Sequence, residues 1–278
     1  MRASDFISTL GDSLKAFVKI VLCSRNVHSP RKDANDGREL VILANGPSLN
    51  KTIAEHSAKL HEMPTLAVNF MANAPQFREL KPNYYVLADS HFFEGLEHEN
   101  VSELWKNIAS VDWTMTLCVP ATRRKLACEL LADSNVKIVT YNFVGIEGFA
   151  WLENFAFSHA LAMPRPRNVL IPALMVAINA GFDTIYISGA DHSWMETLRV
   201  TDDNRVVSVQ PHFYADSTAE QLRSATEYKG YRLHDILNSF YVAFRSYHRL
   251  QRFAKAKGVV IYNSTPGSYI DAFERREL

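Results

Sequence analysis

The sequence predicts an α/β fold: a Rossmann-like, doubly wound and mostly parallel sheet with a lid-like insertion and an N-terminal amphipathic helix. Three observations carry this. Short apolar runs at residues 40–44, 65–70, 84–88, 113–119, 136–141, 184–188 and 259–262 alternate with stretches of helical period. Most runs are rich in β-branched and aromatic residues and stop at Gly, Asn, Asp or Pro, as strand ends do. Their apolar character is nearly continuous, which suits strands covered on both faces of a parallel sheet.

At the start, residues 4–22 place Phe6, Ile7, Leu10, Leu14, Phe17, Val18 and Val21 at helical spacing on one side. Asp5, Ser8, Asp12, Ser13, Lys15 and Lys19 fill the other. No signal-peptide core or cleavage site follows. With Arg25, Arg31 and Lys32 just beyond, the segment reads in two ways. It is an interfacial helix on an anionic membrane, or a helix packed on the domain or a partner chain. Residues 24–38 are polar and read as a linker. Residues 1–38 are therefore assigned to helix and linker, and 39–278 to the Rossmann-like domain. Within it, residues 168–180 form a helix stopped by Gly181. Residues 196–231 break the alternation. They are polar apart from aromatic residues such as Tyr228 and Tyr231, and a stretch this long reads as an active-site lid. Residues 234–257 then form one helix, with Leu237, Phe240, Tyr241, Phe244, Tyr247, Leu250 and Phe253 inward and Arg245, Arg249, Arg252 and Lys255 outward.

Bulk composition narrows the function. The 278 residues are 47% hydrophobic, and 30 basic side chains balance 30 acidic ones. That balance argues against a protein that binds nucleic acid by neutralising many phosphates. The three cysteines, Cys23, Cys118 and Cys128, have neither disulfide-framework nor zinc spacing, so a reducing, cytoplasmic setting is expected. If the first helix meets lipid, that setting is the inner face of the cytoplasmic membrane.

The strongest local signal is the first strand running into Asn45-Gly46-Pro47-Ser48-Leu49. In a doubly wound sheet, the turn after the first strand approaches a nucleotide closely. Gly46 permits that approach and can take a positive φ. Ser48, at a helix start, can hold phosphate oxygens. A plain strand-to-helix turn would look the same, but three further strands end in polar residues: Asn69, Asp89, and Ser188-Gly189-Ala190-Asp191-His192. In parallel strands these converge on the edge occupied by Asn45, where a donor would bind. GxGxxG and GxxxxGK[ST] are both missing. Arg167 and Asn168, in Arg165-Pro166-Arg167-Asn168, suit a phosphate or carboxylate because guanidinium makes two parallel bonds to such groups. No DxD or HxxxH cluster is present, so neither a metal nor a cofactor is expected.

This layout resembles the family 42 sialyltransferases over about residues 39–271. The Asn-Gly-Pro-Ser opening also resembles that of MptE-like 6-hydroxymethylpterin diphosphokinases and of flagellin-modifying motility accessory factors. The sialyltransferase resemblance implies that Asn45, Gly46, Pro47, Ser48, Asn69, Asp89 and Gly189 surround a CMP-linked sugar. Asp89 stands where that family has Asn, and His192-Ser193 stand where it places a tyrosine. The resemblance also implies a histidine general base before the last long helix, and related enzymes often form homo-oligomers. His234, His192 and His212 are the candidates, in that order. The expected activity is an inverting, metal-independent glycosyltransferase, moving sialic acid or a related acidic sugar to a surface glycan or glycolipid in polysaccharide biosynthesis. A diphosphokinase using ATP and Mg²⁺, or a non-catalytic interaction module, is the alternative.

Overall fold

A computed structural model of the chain describes residues 3–27, 29–34, 37–208 and 226–278. Its centre is an eight-stranded sheet in the order β13-β12-β8-β1-β2-β3-β4-β5, with every pairing parallel. The strands are β1 (Glu39–Leu43), β2 (Thr65–Val68), β3 (Tyr84–Val86), β4 (Thr116–Pro120), β5 (Lys137–Tyr141), β8 (Thr184–Ser188), β12 (Val260–Asn263) and β13 (Glu274–Arg275). Two short strands, β6 (Gly145–Ile146) and β7 (Met163–Pro164), pair apart from it. Each predicted apolar run supplies one strand of the main sheet. The two-residue edge strand β13 lies outside them, being too short and too polar to show a pattern.

Successive side chains of a strand point to opposite faces, so a sheet covered twice needs every residue apolar. In β1, Leu40 and Ile42 enter one core with the helix Leu170–Ala180 and the inner face of the helix Leu233–Ala256. Val41 and Leu43 enter the other, with Leu49, Leu104, Trp105 and Ile108 from the helices Ser48–Glu62 and Glu99–Ala109. The helix Leu170–Ala180 is buried on nearly every side and ends at Gly181, whose φ of 103° is the left-handed stop that glycine accepts without strain.

Three sequence expectations need correction. The helix Leu233–Ala256 does not bury Leu237 or Tyr241, which are exposed; Val242, Ala243, Ser246, Tyr247, Leu250, Phe253 and Ala254 form its buried stripe. Its first turns border a cleft rather than the core, so the apolar pattern there has no sheet to meet. Arg245 and Arg249 are not a solvated face: Arg245 Nη2 donates to both carboxylate oxygens of Glu147 at 2.5 and 2.7 Å, and Arg249 pairs with the buried Glu153. Ser24 and Arg25, at the start of the predicted linker, are fixed to the domain. Asn142 accepts the Arg25 N–H at 2.8 Å and donates to the Arg25 carbonyl at 2.8 Å, while Ser24 Oγ donates to the Leu161 carbonyl. Where the sequence breaks alternation, the described residues form a small antiparallel sheet of β9 (Leu198–Val200), β10 (Val206–Ser208) and β11 (Thr226–Glu227).

Candidate active site

β1 and β8 are neighbours, and from them the chain proceeds to β2 on one side and β12 on the other. Such a reversal opens a crevice at the carboxyl ends of the strands. The two loops there are tied together: Ala44 N–H donates to Ser188 O at 2.8 Å and Gly46 N–H to Gly189 O at 2.7 Å. Gly189 has a φ of 74°, and an added Cβ would collide with the Ala44 carbonyl. Gly46 does not take the expected positive φ. It is small for another reason, since a Cβ would run into the Asp191 carboxylate and the Gly189 carbonyl.

That carboxylate bears on a second expectation, that Ser48 can hold phosphate oxygens. Ser48 Oγ donates to Asp191 Oδ2 at 2.9 Å, and the Ser48 N–H points at the same oxygen at 3.4 Å. The positive end of the helix Ser48–Glu62 is therefore already filled by a carboxylate of the chain itself. A phosphate cannot take that place without displacing Asp191.

Beside this pair lies a cleft of about 1120 Å³. Asn45, Gly46, Pro47, Asn69, Asp89, Arg167, Asn168, Gly189, Asp191 and His192 all line it. Ser48, Ser188 and Ala190 do not. Ser188 Oγ is buried against Thr52 Oγ1 at 2.8 Å, and the Ala190 N–H donates to Thr265 Oγ1 at 3.0 Å. Asp89 is exposed at the rim and accepts the His91 N–H at 2.9 Å, starting a short helical turn. His234 is not brought to the cleft. Its side chain is 81% exposed at the outer start of the last long helix, 3.3 Å from the Asp235 carboxylate. His212 lies outside the described residues.

Three amides in the cleft are incompletely satisfied. Asn45 Nδ2 donates to the Val68 carbonyl at 3.1 Å, which fixes the amide and leaves a buried Oδ1 with no partner. Asn69 sits in the left-handed region at φ 49°, a conformation asparagine tolerates. Tyr85 OH donates to its carbonyl, while its Oδ1 is likewise buried and unpaired. Asn168 Oδ1 accepts from the Leu170 N–H at 2.9 Å and from Tyr247 OH at 3.0 Å, leaving Nδ2 buried and unpaired. Buried polar atoms normally find partners, and each orphan costs about 1–3 kcal/mol. All three belong to residues that line the one cleft.

His192 closes the group. It is half-buried at φ 54°, with its ring against Trp194 at 4.2 Å and Tyr247 at 5.5 Å. Nε2 lies 2.6 Å from Tyr247 OH. Because Tyr247 directs its proton to Asn168, the contact is satisfied when Nε2 carries the proton, leaving the Nδ1 lone pair free. Desolvation by this aromatic wall lowers the imidazole pKa to about 3, so the ring is neutral at pH 7. Burial likewise pushes the Tyr247 phenol well above its ordinary value, against a weaker opposing effect of Asn168.

Arg25, Arg123 and Arg167 line the cleft together with Asp89, Asp191 and Asp235. Arg123 is paired with Glu94, Asp191 with Ser48, and Asp235 accepts the Arg232 N–H at 2.9 Å. Arg167 is exposed and has no ion-pair partner among the described residues. Sequence reading missed Arg25 and Tyr247 as site residues. Arg25 belonged to an apparent linker, and Tyr247 looked like one more aromatic residue of an inner stripe. A phenol repeating among phenylalanines was the available signal. Among the described residues, no three His, Cys, Asp or Glu side chains gather as a metal-binding group.

No family model matches the chain, and no curated protein matches it. Its fold is similar to that of a MAf glycosyltransferase from Magnetospirillum magneticum AMB-1, with a TM-score of 0.52 and 12% identity. The match covers 96% of this chain but only 38% of that protein. At that identity the likeness speaks for the fold, an α/β arrangement around a parallel sheet, and the two share it.

Proposed function

We propose that the chain is a glycosyltransferase that takes its sugar from a nucleotide donor, with a CMP-linked acidic sugar as the leading candidate. The observation that carries this is the set of unpaired amide atoms of Asn45, Asn69 and Asn168 around one cleft at the switch point of the sheet. The acceptor oxygens of Asn45 and Asn69 suit base amines or ribose hydroxyls. Asn168 Nδ2 and Arg167 suit the phosphate or a sugar carboxylate. The fold shared with a known glycosyltransferase agrees with this reading.

In the proposed step, an acceptor hydroxyl attacks the anomeric carbon as the bond from that carbon to the donor phosphate oxygen breaks, inverting the centre. The hydroxyl proton goes to His192 Nδ1, and the nucleotide leaves with the bonding electrons on its phosphate. His192 is preferred to His234 because it lines the cleft and is held by Tyr247. A base held near pKa 3 is weak, but an anionic donor beside the ring favours the imidazolium and raises that value toward the working pH. Arg167 and Asn168 take the charge of the departing phosphate without a metal ion.

A thermal-shift screen with CMP, UDP, GDP and ATP–Mg²⁺ tests the donor. CMP at a hundred times its Kd should stabilise the fold by about 2.7 kcal/mol. Asn45→Ala should weaken its binding by about 1–3 kcal/mol through loss of a buried hydrogen bond. A response to ATP–Mg²⁺ alone would make the protein a kinase of the diphosphokinase type, and no response to any nucleotide would leave an interaction module.

A further inference from the structure

The N-terminal helix Ala3–Cys23 is docked on the molecule by the wrong side for an ordinary amphipathic helix. Its contact is made by small residues and one isoleucine. Ser13 is buried and its Oγ accepts the Phe149 N–H at 2.9 Å, Ala16 is 2% exposed, and Ile20 packs against the core. The large apolar side chains point elsewhere: Leu10, Leu14, Phe17, Val18, Val21 and Leu22 are all exposed. Trp151 and Phe155 are exposed on the helix Ala150–Ser158, whose preceding residue, Phe149, meets Phe6 at 5.6 Å between ring centroids. Among the described residues no helix is long and apolar enough to cross a membrane.

Charge and position say what covers that apolar face. Where the helix ends, Arg25, Arg124 and Lys125 surround an open hollow of about 560 Å³, with Glu129 as the single opposing charge. Arg25 and Arg124 are exposed and have no ion-pair partner among the described residues. Lys125 pairs with Glu129, so two unpaired cations remain beside an apolar helix, which matches the headgroup layer of an anionic bilayer. The hollow shares Arg25, Ala121 and Thr122 with the cleft, and Cys23, the last residue of the helix, lines that cleft.

We infer that the outer face of the N-terminal helix lies on an anionic lipid bilayer and holds the cleft mouth at its surface, so that the acceptor is a glycolipid carried by that bilayer. The choice of acceptor rests on the proposed transferase reading; the lipid contact does not. The full chain should co-sediment with phosphatidylcholine vesicles containing phosphatidylglycerol about tenfold more tightly than with phosphatidylcholine alone. A Leu14→Asp, Phe17→Asp, Val21→Asp variant should lose binding to both while keeping its melting temperature, because all three side chains are exposed. Arg25→Glu with Arg124→Glu should abolish the preference for anionic vesicles. A polarity-sensitive dye on Cys23, in a Cys128→Ser background, should shift to the blue when vesicles bind. Wild-type protein that ignores vesicles but forms a dimer split by the triple-aspartate variant would assign the face to a second copy and overturn the inference. A dye that stays in water while vesicles bind would remove the glycolipid acceptor. Nucleotide melting shifts measured in the same samples separate the two readings. Shifts without vesicle binding sink the lipid contact alone, and vesicle binding without shifts sinks the donor site alone.

Discussion

Two helix N-termini face the same crevice and are treated oppositely. The helix Ser48–Glu62 receives the Asp191 carboxylate, which bonds Ser48 and fills the positive end. The helix Leu170–Ala180 receives only the neutral Asn168 oxygen on its Leu170 N–H, with Arg167 exposed beside it and Asn168 Nδ2 unpaired. A helix start favours negative charge over its first turn. The first spends that preference on stability and on joining the loops after β1 and β8. The second keeps it, with a cation and an unused donor in reserve. On the proposed transferase reading, the difference puts an anionic donor on the Arg167–Asn168 side, not on the Ser48 turn that the sequence made most conspicuous.

The comparison can be broken or sharpened by measurement. The largest effect is expected at His192, which Tyr247 links to the Asn168 side. His192→Ala should lower kcat by about 10²–10⁴-fold and leave donor affinity nearly unchanged, as for an interaction made mainly in the transition state. Loss of donor binding instead would make His192 a phosphate contact, and unchanged turnover would return attention to His234.

Next comes Arg167→Ala. Losing a charge-assisted hydrogen bond to phosphate should weaken donor binding by about 1.5–3 kcal/mol. If titration calorimetry finds the donor bound as tightly as in the wild type, the phosphate lies elsewhere and the contrast between the helices loses its functional meaning.

A smaller effect concerns pH. The folded pKa of His192, about 3, lies below the 6.5 of the unfolded chain, so the unfolded state binds more protons between those values. The corresponding stability is fully present above about pH 6.5 and is lost as pH falls toward 3. The slope is at most about 1.4 kcal/mol per pH unit, and less because the ring keeps some contact with the open cleft. Urea denaturation at several pH values should show this slope in the wild type and a flatter one in His192→Phe.

The smallest change is expected from Ser48→Ala. It removes one hydrogen bond to Asp191 and should cost about 0.5–1.5 kcal/mol of stability, with donor affinity untouched. A donor-binding defect without a loss of stability would put phosphate on Ser48 after all.

Much of the molecule was legible beforehand because it rests on local chemistry. Seven apolar runs gave seven strands of the main sheet, since a strand buried on both faces has no freedom to alternate. Asn45, Asn69, Asp89, Gly189 and His192 could be placed at one sheet edge from strand order alone, because parallel strands present the same end together. Other features depend on groups distant in the chain. Whether Ser48 meets a ligand or a carboxylate was decided by Asp191, which lies 143 positions away. Tyr247 became the partner of His192 only once the last long helix packed against the helix Leu170–Ala180 and β12, and no spacing in the sequence encodes that packing. The N-terminal helix shows the same division. Its periodicity determined that it would be amphipathic, but the sequence could not tell which side would dock. Tertiary packing buried the small residues Ser13 and Ala16, with Ser13 close enough to accept the Phe149 N–H, and left the large apolar side chains outside.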